Sequence, residues 1–203
     1  MKKIVQLVIA MIMMMAAGVA SAHVDTVTIP EGADITGIER IAVAKPLYTP
    51  LKDYPSMDEL TLAVSDGIVK LKTDLLVVSY DEMARNIMND TKKDIRSLDR
   101  HVAAKVFRDN VPKYADAYVV LTVANNTRTV FFFDVYRAGT NDLIYSNQMI
   151  TTSDEGDNVK DYTGMAADFY KSFSSSKKLE IEKREKAQRE AQKAAEKAKR
   201  DKK

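Results

Sequence analysis

ADAYVVLTVANNTRTVFFFDVYRAGTNDLIYSNQMI, residues 115–150, decides the fold. Three apolar runs rich in Val, Tyr, Phe and Ile are separated by short clusters of turn-forming residues, the pattern of a β-meander. Asn125-Asn126 suits the left-handed backbone of a tight hairpin, and Gly139 with Asn141-Asp142 supplies a second, longer reversal. Three consecutive aromatics, Phe131, Phe132 and Phe133, put side chains on both faces of the sheet, because successive strand residues alternate. Two readings follow. The second face is either buried by the lead-in and the tail, or it is a partner-binding surface to which Tyr118, Tyr136 and Tyr145 also contribute.

Upstream of the meander the pattern is α/β. The run RIAVA at 40–44 is a short strand ended by Pro46, and Pro50 and Pro55 keep the following segment irregular. Ser56-Met57-Asp58-Glu59 is a capping box, so a helix starts there, and Leu60, Val64, Ile68 and Leu71 give it one apolar face. The unbroken apolar run at 75–78 is a second strand. Ser79-Tyr80-Asp81-Glu82 repeats the capping pattern directly after it. Ile95, Leu98, Val102 and Val106 carry a further helical period, ended by Asn110 and Pro112. After the meander, Tyr162, Met165, Phe169 and Phe173 mark a closing amphipathic helix.

The expected order is therefore β-α-β-α(α)-β-β-β-α. It describes a single mixed-sheet α/β sandwich with helices on one face, its first two strands parallel, and a charged helical tail.

The ends have their own chemistry. Residues 1–22 show a secretory signal peptide: Lys2 and Lys3, an apolar run, then Ala20-Ser21-Ala22 as the cleavage pattern. That run is short beside the roughly 20 residues a bilayer span needs. No later stretch is apolar enough to cross, so the mature protein is expected to be periplasmic or secreted. There is no cysteine, which excludes disulfide-stapled scaffolds and lipid attachment at a cysteine after the leader. Residues 23–37 read as an extended lead-in with a short edge strand, 38–175 as the α/β domain, and 176–203 as a basic helical tail.

Residues 23–176 carry 17 Lys/Arg against 23 Asp/Glu, whereas residues 177–203 carry 12 against 6, so an acidic domain bears a basic tail. The tail is rich in helix formers and i,i+4 pairs, and contains a thin alanine stripe that a coiled coil would bury. It reads either as a solvated single helix or as an electrostatic contact. In the second case Lys197, Lys199, Arg200, Lys202 and Lys203 meet anionic lipid, cell-wall polymer or an acidic protein. Removing residues 177–203 is then expected to leave domain stability almost unchanged. Nucleic acid is a poor partner for an exported acidic domain.

Several phrases are similar to one envelope-protein superfamily: RIAVA at 40–44, LVVSYDEM at 76–83, ADAYVV at 115–120, FDVYRAG at 133–139 and LIYS at 143–146. It comprises the curli-secretion-channel lipoproteins, the outer-membrane activators of penicillin-binding proteins, and the amino-terminal domain of the Tol-system β-propeller protein. The resemblance covers about residues 38–173. It implies an anticodon-binding-domain-like fold whose members bind proteins or assemble rather than catalyse. The chain departs from those lipoproteins in lacking the lipid-bearing cysteine, and it has no long alternating insertion from which channel strands could form.

For chemistry the candidates are few. His23, at the expected mature amino terminus, and His101 offer imidazole ligands for a metal such as copper. Asp81, Glu82 and Asp116 are expected near strand carboxyl ends, where α/β sheets place ligands. Negative charge at a helix start accounts for Asp81 and Glu82 without catalysis. Nucleophile elbows, phosphate loops and dinucleotide fingerprints are missing. The expectation is thus a non-enzyme needing no cofactor that binds or helps assemble another envelope component, with self-association open. The rival is an envelope enzyme or metal protein using the histidines or carboxylates.

Overall fold

The computed structural model describes residues 24–49, 54–69, 71, 73–125, 129–151 and 158–200. Residues 1–22, read above as a signal peptide, and His23, Asn126, Lys202 and Lys203 lie outside them. Six strands form one mixed sheet: β1 (Val24–Thr28), β2 (Arg40–Val43), β3 (Leu76–Val78), β4 (Ala117–Asn125), β5 (Thr129–Arg137) and β6 (Leu143–Ile150), in the order β1-β6-β5-β4-β2-β3. The meander is β4-β5-β6, antiparallel throughout, and β2 runs parallel to both β3 and β4. The lead-in supplies β1, which closes the far edge by pairing antiparallel with β6.

The helices are α1 (Met57–Asp66), α2 (Tyr80–Thr91), α3 (Arg100–Asn110) and α4 (Val159–Arg200). At α1 the capping box is complete: the Ser56 hydroxyl accepts from the Glu59 amide while the Glu59 carboxylate accepts from the Ser56 amide. At α2 only half of it forms, with Ser79 accepting from Glu82. The third helix begins later than its apolar period suggests. Asp99 caps it through the His101 amide, leaving Ile95 and Leu98 in the preceding loop, where Ile95 is still wholly buried.

Helices lie on both faces of the sheet, which corrects the one-faced expectation. Alternation along β4 shows why. Ala117, Val119, Leu121 and Val123 point into a core shared with α1 and α4, whereas Tyr118 and Val120 point into a second core under α2 and α3. The first core also takes Phe131, Phe133, Tyr145 and the aromatic face of α4, with Phe169 stacked on Phe133 at 4.7 Å. It is closed by a tight helix crossing. A Cβ built on Gly67, just past α1, would stand 2.6 Å from the Ala166 Cβ and 2.8 Å from α4 backbone, so only glycine fits.

α4 is one helix of 42 residues, merging the closing helix with the tail. Its contacts with the domain continue beyond residue 175. Lys177 is buried and donates from Nζ to the Ile38 carbonyl at 2.7 Å, and Arg184 pairs with Asp34 at 2.9 Å. From Ile181 to Lys193 the helix is exposed. The projecting part, residues 185–200, is roughly 24 Å long at the α-helical rise.

Candidate functional site

The second core is incomplete, and its open end is the candidate site. α2 and α3 cover β2, β4 and the start of the β5–β6 turn, but between α3, the sheet and the segment after β2 a cavity of about 680 Å³ opens. Its aromatic wall is a ladder. Tyr80 stacks on Phe107 at 6.2 Å, Phe107 meets Tyr118 edge-on at 6.0 Å, and Tyr118 stacks on Tyr136 at 5.3 Å. Each rung comes from a different element: the first turn of α2, the middle of α3, β4 and β5.

The turn between β5 and β6 fixes one rung. Asn141 adopts a left-handed φ of 60°, and its Oδ1 accepts from the Tyr118 hydroxyl at 3.0 Å. Burial raises the pKa of Tyr80, Tyr118 and Tyr136 above the ordinary phenol value, so all three are neutral donors at physiological pH. Ala44, Pro46, Leu47, Met57, Ile95, Leu98 and Val120 supply apolar lining.

The polar lining is one-signed. Lys45, Arg96, Arg100 and Arg108 border the cavity, and no Asp or Glu is among the described residues that line it. Arg96 is already engaged by Asp94 through two hydrogen bonds of 2.8 and 3.0 Å. Lys45, Arg100 and Arg108 form no ion pair among the described residues. Arg100, Ala104 and Arg108 follow at spacings of four, so they run down one stripe of α3, with Ala104 leaving room between the two guanidinium groups.

The six aromatic candidates divide by face. Tyr118 and Tyr136 belong to the cavity ladder. Phe131, Phe133 and Tyr145 are fully buried beneath α4 and serve the first core, so they present no surface to a partner. Phe132 does point the other way and is half-buried. Its neighbours across the sheet are Thr122 and Gln148, on the part of that face lying beyond the α2/α3 core.

The chemical candidates are not brought together. Asp81 and Glu82 follow β3 at its carboxyl end, whereas Asp116 precedes β4 at the opposite end of these parallel strands. There Asp116 accepts from the Glu39 and Arg40 amides at 2.9 and 2.8 Å, which ties β2 to β4. Glu82 borders a smaller depression at the β3 edge with Arg40, Lys113 and Tyr114. His101 is exposed on the first turn of α3, and no cluster of three His, Cys, Asp or Glu side chains able to hold a metal occurs among the described residues. No helix among them is long and apolar enough to cross a membrane. Of the tail candidates, Lys197, Lys199 and Arg200 lie on the last turns of α4.

Sequence reading missed Phe107, Tyr80, Lys45, Arg100 and Arg108. The spacing of four from Arg100 to Ala104 and again to Arg108 was the available signal, but it becomes meaningful only once α3 is known to border a cavity.

Comparison of the sequence with protein families and with curated proteins finds no match in either. Among solved structures, the chain is similar to the PelC dodecamer from Paraburkholderia phytofirmans, at 10% identity and a TM-score of 0.40, over 75% of this chain and 97% of that one. It is similar also to a single-substitution variant of that dodecamer in another crystal form, at 11% identity and a TM-score of 0.36, over 74% and 99%.

Proposed function

We propose that this chain is an exported, non-catalytic protein that binds or helps assemble another component of the bacterial envelope. The α2/α3 side of its sheet is the contact surface, and the projecting end of α4 is a tether. The observation that carries this reading is the open aromatic ladder at Tyr118 and Tyr136. Under α4 the aromatic side chains close a finished core, whereas Tyr80, Phe107, Tyr118 and Tyr136, the first three of them at most 7% exposed, border a cavity whose charged lining residues, among the described residues, are all cationic. The leader supports export, and the resemblance to envelope-assembly proteins fits a domain that binds rather than catalyses. Among the described residues the candidate carboxylates are dispersed and His101 is exposed, so they do not form a gathered set of groups there.

The test is in situ crosslinking in intact cells followed by recovery of the full chain. The native protein is expected to yield a discrete adduct that Tyr136→Ala combined with Arg108→Glu abolishes, while Phe132→Ala leaves it intact. Adducts indifferent to the cavity substitutions would move the contact surface elsewhere. Recovery of the chain only from the cytoplasm, with its amino terminus uncleaved, would end the envelope reading.

A further inference from the structure

Three properties of the cavity belong together among the described residues: an aromatic and aliphatic floor, cations at the rim that form no ion pair, and no lining carboxylate. The third is informative because the domain as a whole is acidic, with 23 Asp/Glu against 17 Lys/Arg over residues 23–176. A rim composed at random from such a surface would be mixed or negative. Here Lys45, Arg100 and Arg108 form no ion pair with any described residue around one opening, which focuses a positive field into a low-dielectric recess.

The floor says what kind of anion. Neutral polar groups are few: the phenols of Tyr80, Tyr118 and Tyr136 and the amide of Asn141, of which Tyr118 and Asn141 satisfy each other. A sugar chain, with hydroxyls on every ring edge, would leave many of its hydrogen bonds unmade against Ile95, Leu98, Leu47 and Val120. An aliphatic chain loses nothing there. A volume of about 680 Å³ also lies within the usual range of small-ligand pockets.

We propose that this cavity binds an amphiphilic organic anion, a single aliphatic chain ending in a carboxylate or phosphate. The chain lies against the Tyr80–Phe107–Tyr118–Tyr136 ladder, and the head group sits between Arg100 and Arg108. The head belongs at the α3 stripe rather than at the other end for an electrostatic reason. Asp94, Asp81 and Asp58 act on Tyr80 against the opposing charge of Arg96 and make that end less positive, and Asp94 already occupies Arg96. Arg108 is close enough to Tyr118 to favour its ionised form against burial, so its charge is felt inside the cavity. The inference rests on the α2/α3 side being a contact surface and adds the chemistry of what enters it.

The experiment is calorimetric titration of the full mature chain with decanoate, dodecanoate and dodecyl phosphate below their micelle concentrations. Dodecyl trimethylammonium, dodecyl maltoside and an acidic oligosaccharide serve as comparators. The expected result is saturable binding of the three anions at one site per chain, tightening about threefold to fourfold for each added methylene. The cationic and neutral amphiphiles should bind at least tenfold more weakly. Arg100→Gln and Arg108→Gln, both at exposed positions, should each weaken the anions about tenfold and leave dodecyl maltoside unchanged. Ala104→Trp, which fills the gap between the arginines, should weaken every amphiphile, with the unchanged melting temperature of the variant showing that it is folded. Affinity independent of head-group charge, or unaffected by both arginine substitutions, would overturn the proposal. So would tighter binding of the acidic oligosaccharide, which would make the cavity a saccharide site. Absence of amphiphile binding alongside a retained, cavity-dependent crosslink would overturn this inference alone and leave the contact-surface reading standing.

Discussion

The two faces of the sheet use aromatic side chains in opposite ways. Under α4, Phe131, Phe133, Tyr145, Tyr162, Phe169, Tyr170 and Phe173 are stacked or edge-on and at most 1% exposed, a dry layer. Under α2 and α3 a second aromatic series ends at an open cavity edged by arginines. The difference follows from the helices above each face. α4 crosses the meander as a long amphipathic element locked by the Gly67 crossing, whereas α2 and α3 are short and leave β5 and β6 uncovered beyond Tyr136. Both faces pack a buried core, but the α2/α3 side also leaves a cavity.

Cutting α4 sharpens this contrast most. A chain ending after residue 176 loses the Lys177–Ile38 hydrogen bond, the half-buried Leu179 and the Arg184–Asp34 pair. Its stability should fall by about 2 kcal/mol or more in denaturant titration. A chain ending after residue 184 keeps all three, and its midpoint should stay within about 0.5 kcal/mol of native. Equal losses from the two truncations would show that the exposed half of α4 belongs to the fold.

Gly67→Ala probes the helix crossing alone. A methyl group placed 2.6 to 2.8 Å from α4 atoms must push the helices apart, costing about 1–3 kcal/mol by thermal unfolding. An unchanged melting temperature would mean that the two helices are not held at this distance.

The face under α4 buries polar atoms that find no partner among the described residues, among them the Tyr170 hydroxyl and the Asn147 amide. Asn147 is wholly buried in β6 between Val27 and Phe133, and its side-chain amide has no hydrogen-bond partner among the described residues. Asn147→Leu, of nearly the same shape, should therefore stabilise the protein, by about 1 kcal/mol. Destabilisation would show that the amide does useful bonding.

The smallest effect concerns acid. The Thr36 hydroxyl, and after it Arg184, hold the Asp34 carboxyl down from 3.8 to about 2. A carboxyl depressed on folding contributes stability in full above its unfolded pKa of 3.8, and that contribution is lost as pH falls through about 2. Both side chains of the Arg184–Asp34 pair are over 40% exposed, so Arg184→Ala should cost less than about 1 kcal/mol at pH 7. It should flatten but not abolish the acid-induced loss of stability between pH 4 and 2, because Thr36 remains. An unaltered pH profile would remove Arg184 from the latch.

The single sheet, the meander and the full capping box at Ser56 were legible because each rests on local chemistry: alternation, turn residues and paired caps. The number of helical layers was not. Apolar faces on Leu60 and on Met83 read alike, and only the strand order decides which side of a sheet each helix reaches. The same ambiguity scattered the aromatic candidates: Tyr118 and Tyr145 look equivalent in sequence, yet one lines the cavity and the other is sealed under α4. Asp116 was misplaced by one strand length. It precedes β4 rather than ending a strand, so it fastens backbone instead of joining Asp81 and Glu82. The tail boundary also shifted, since charge runs on past residue 176 while burial persists at Lys177.

The central claim is that adjacent residues of β5 face two unlike environments, and Phe132 and Phe133 test it most directly. Phe133 is fully buried and stacked on Phe169; Phe132 is half-buried beside Thr122 and Gln148. In parallel equilibrium unfolding, Phe133→Ala should lose about 3–5 kcal/mol and Phe132→Ala about 1 kcal/mol. Equal losses, or the larger loss at Phe132, would contradict the two-faced sheet.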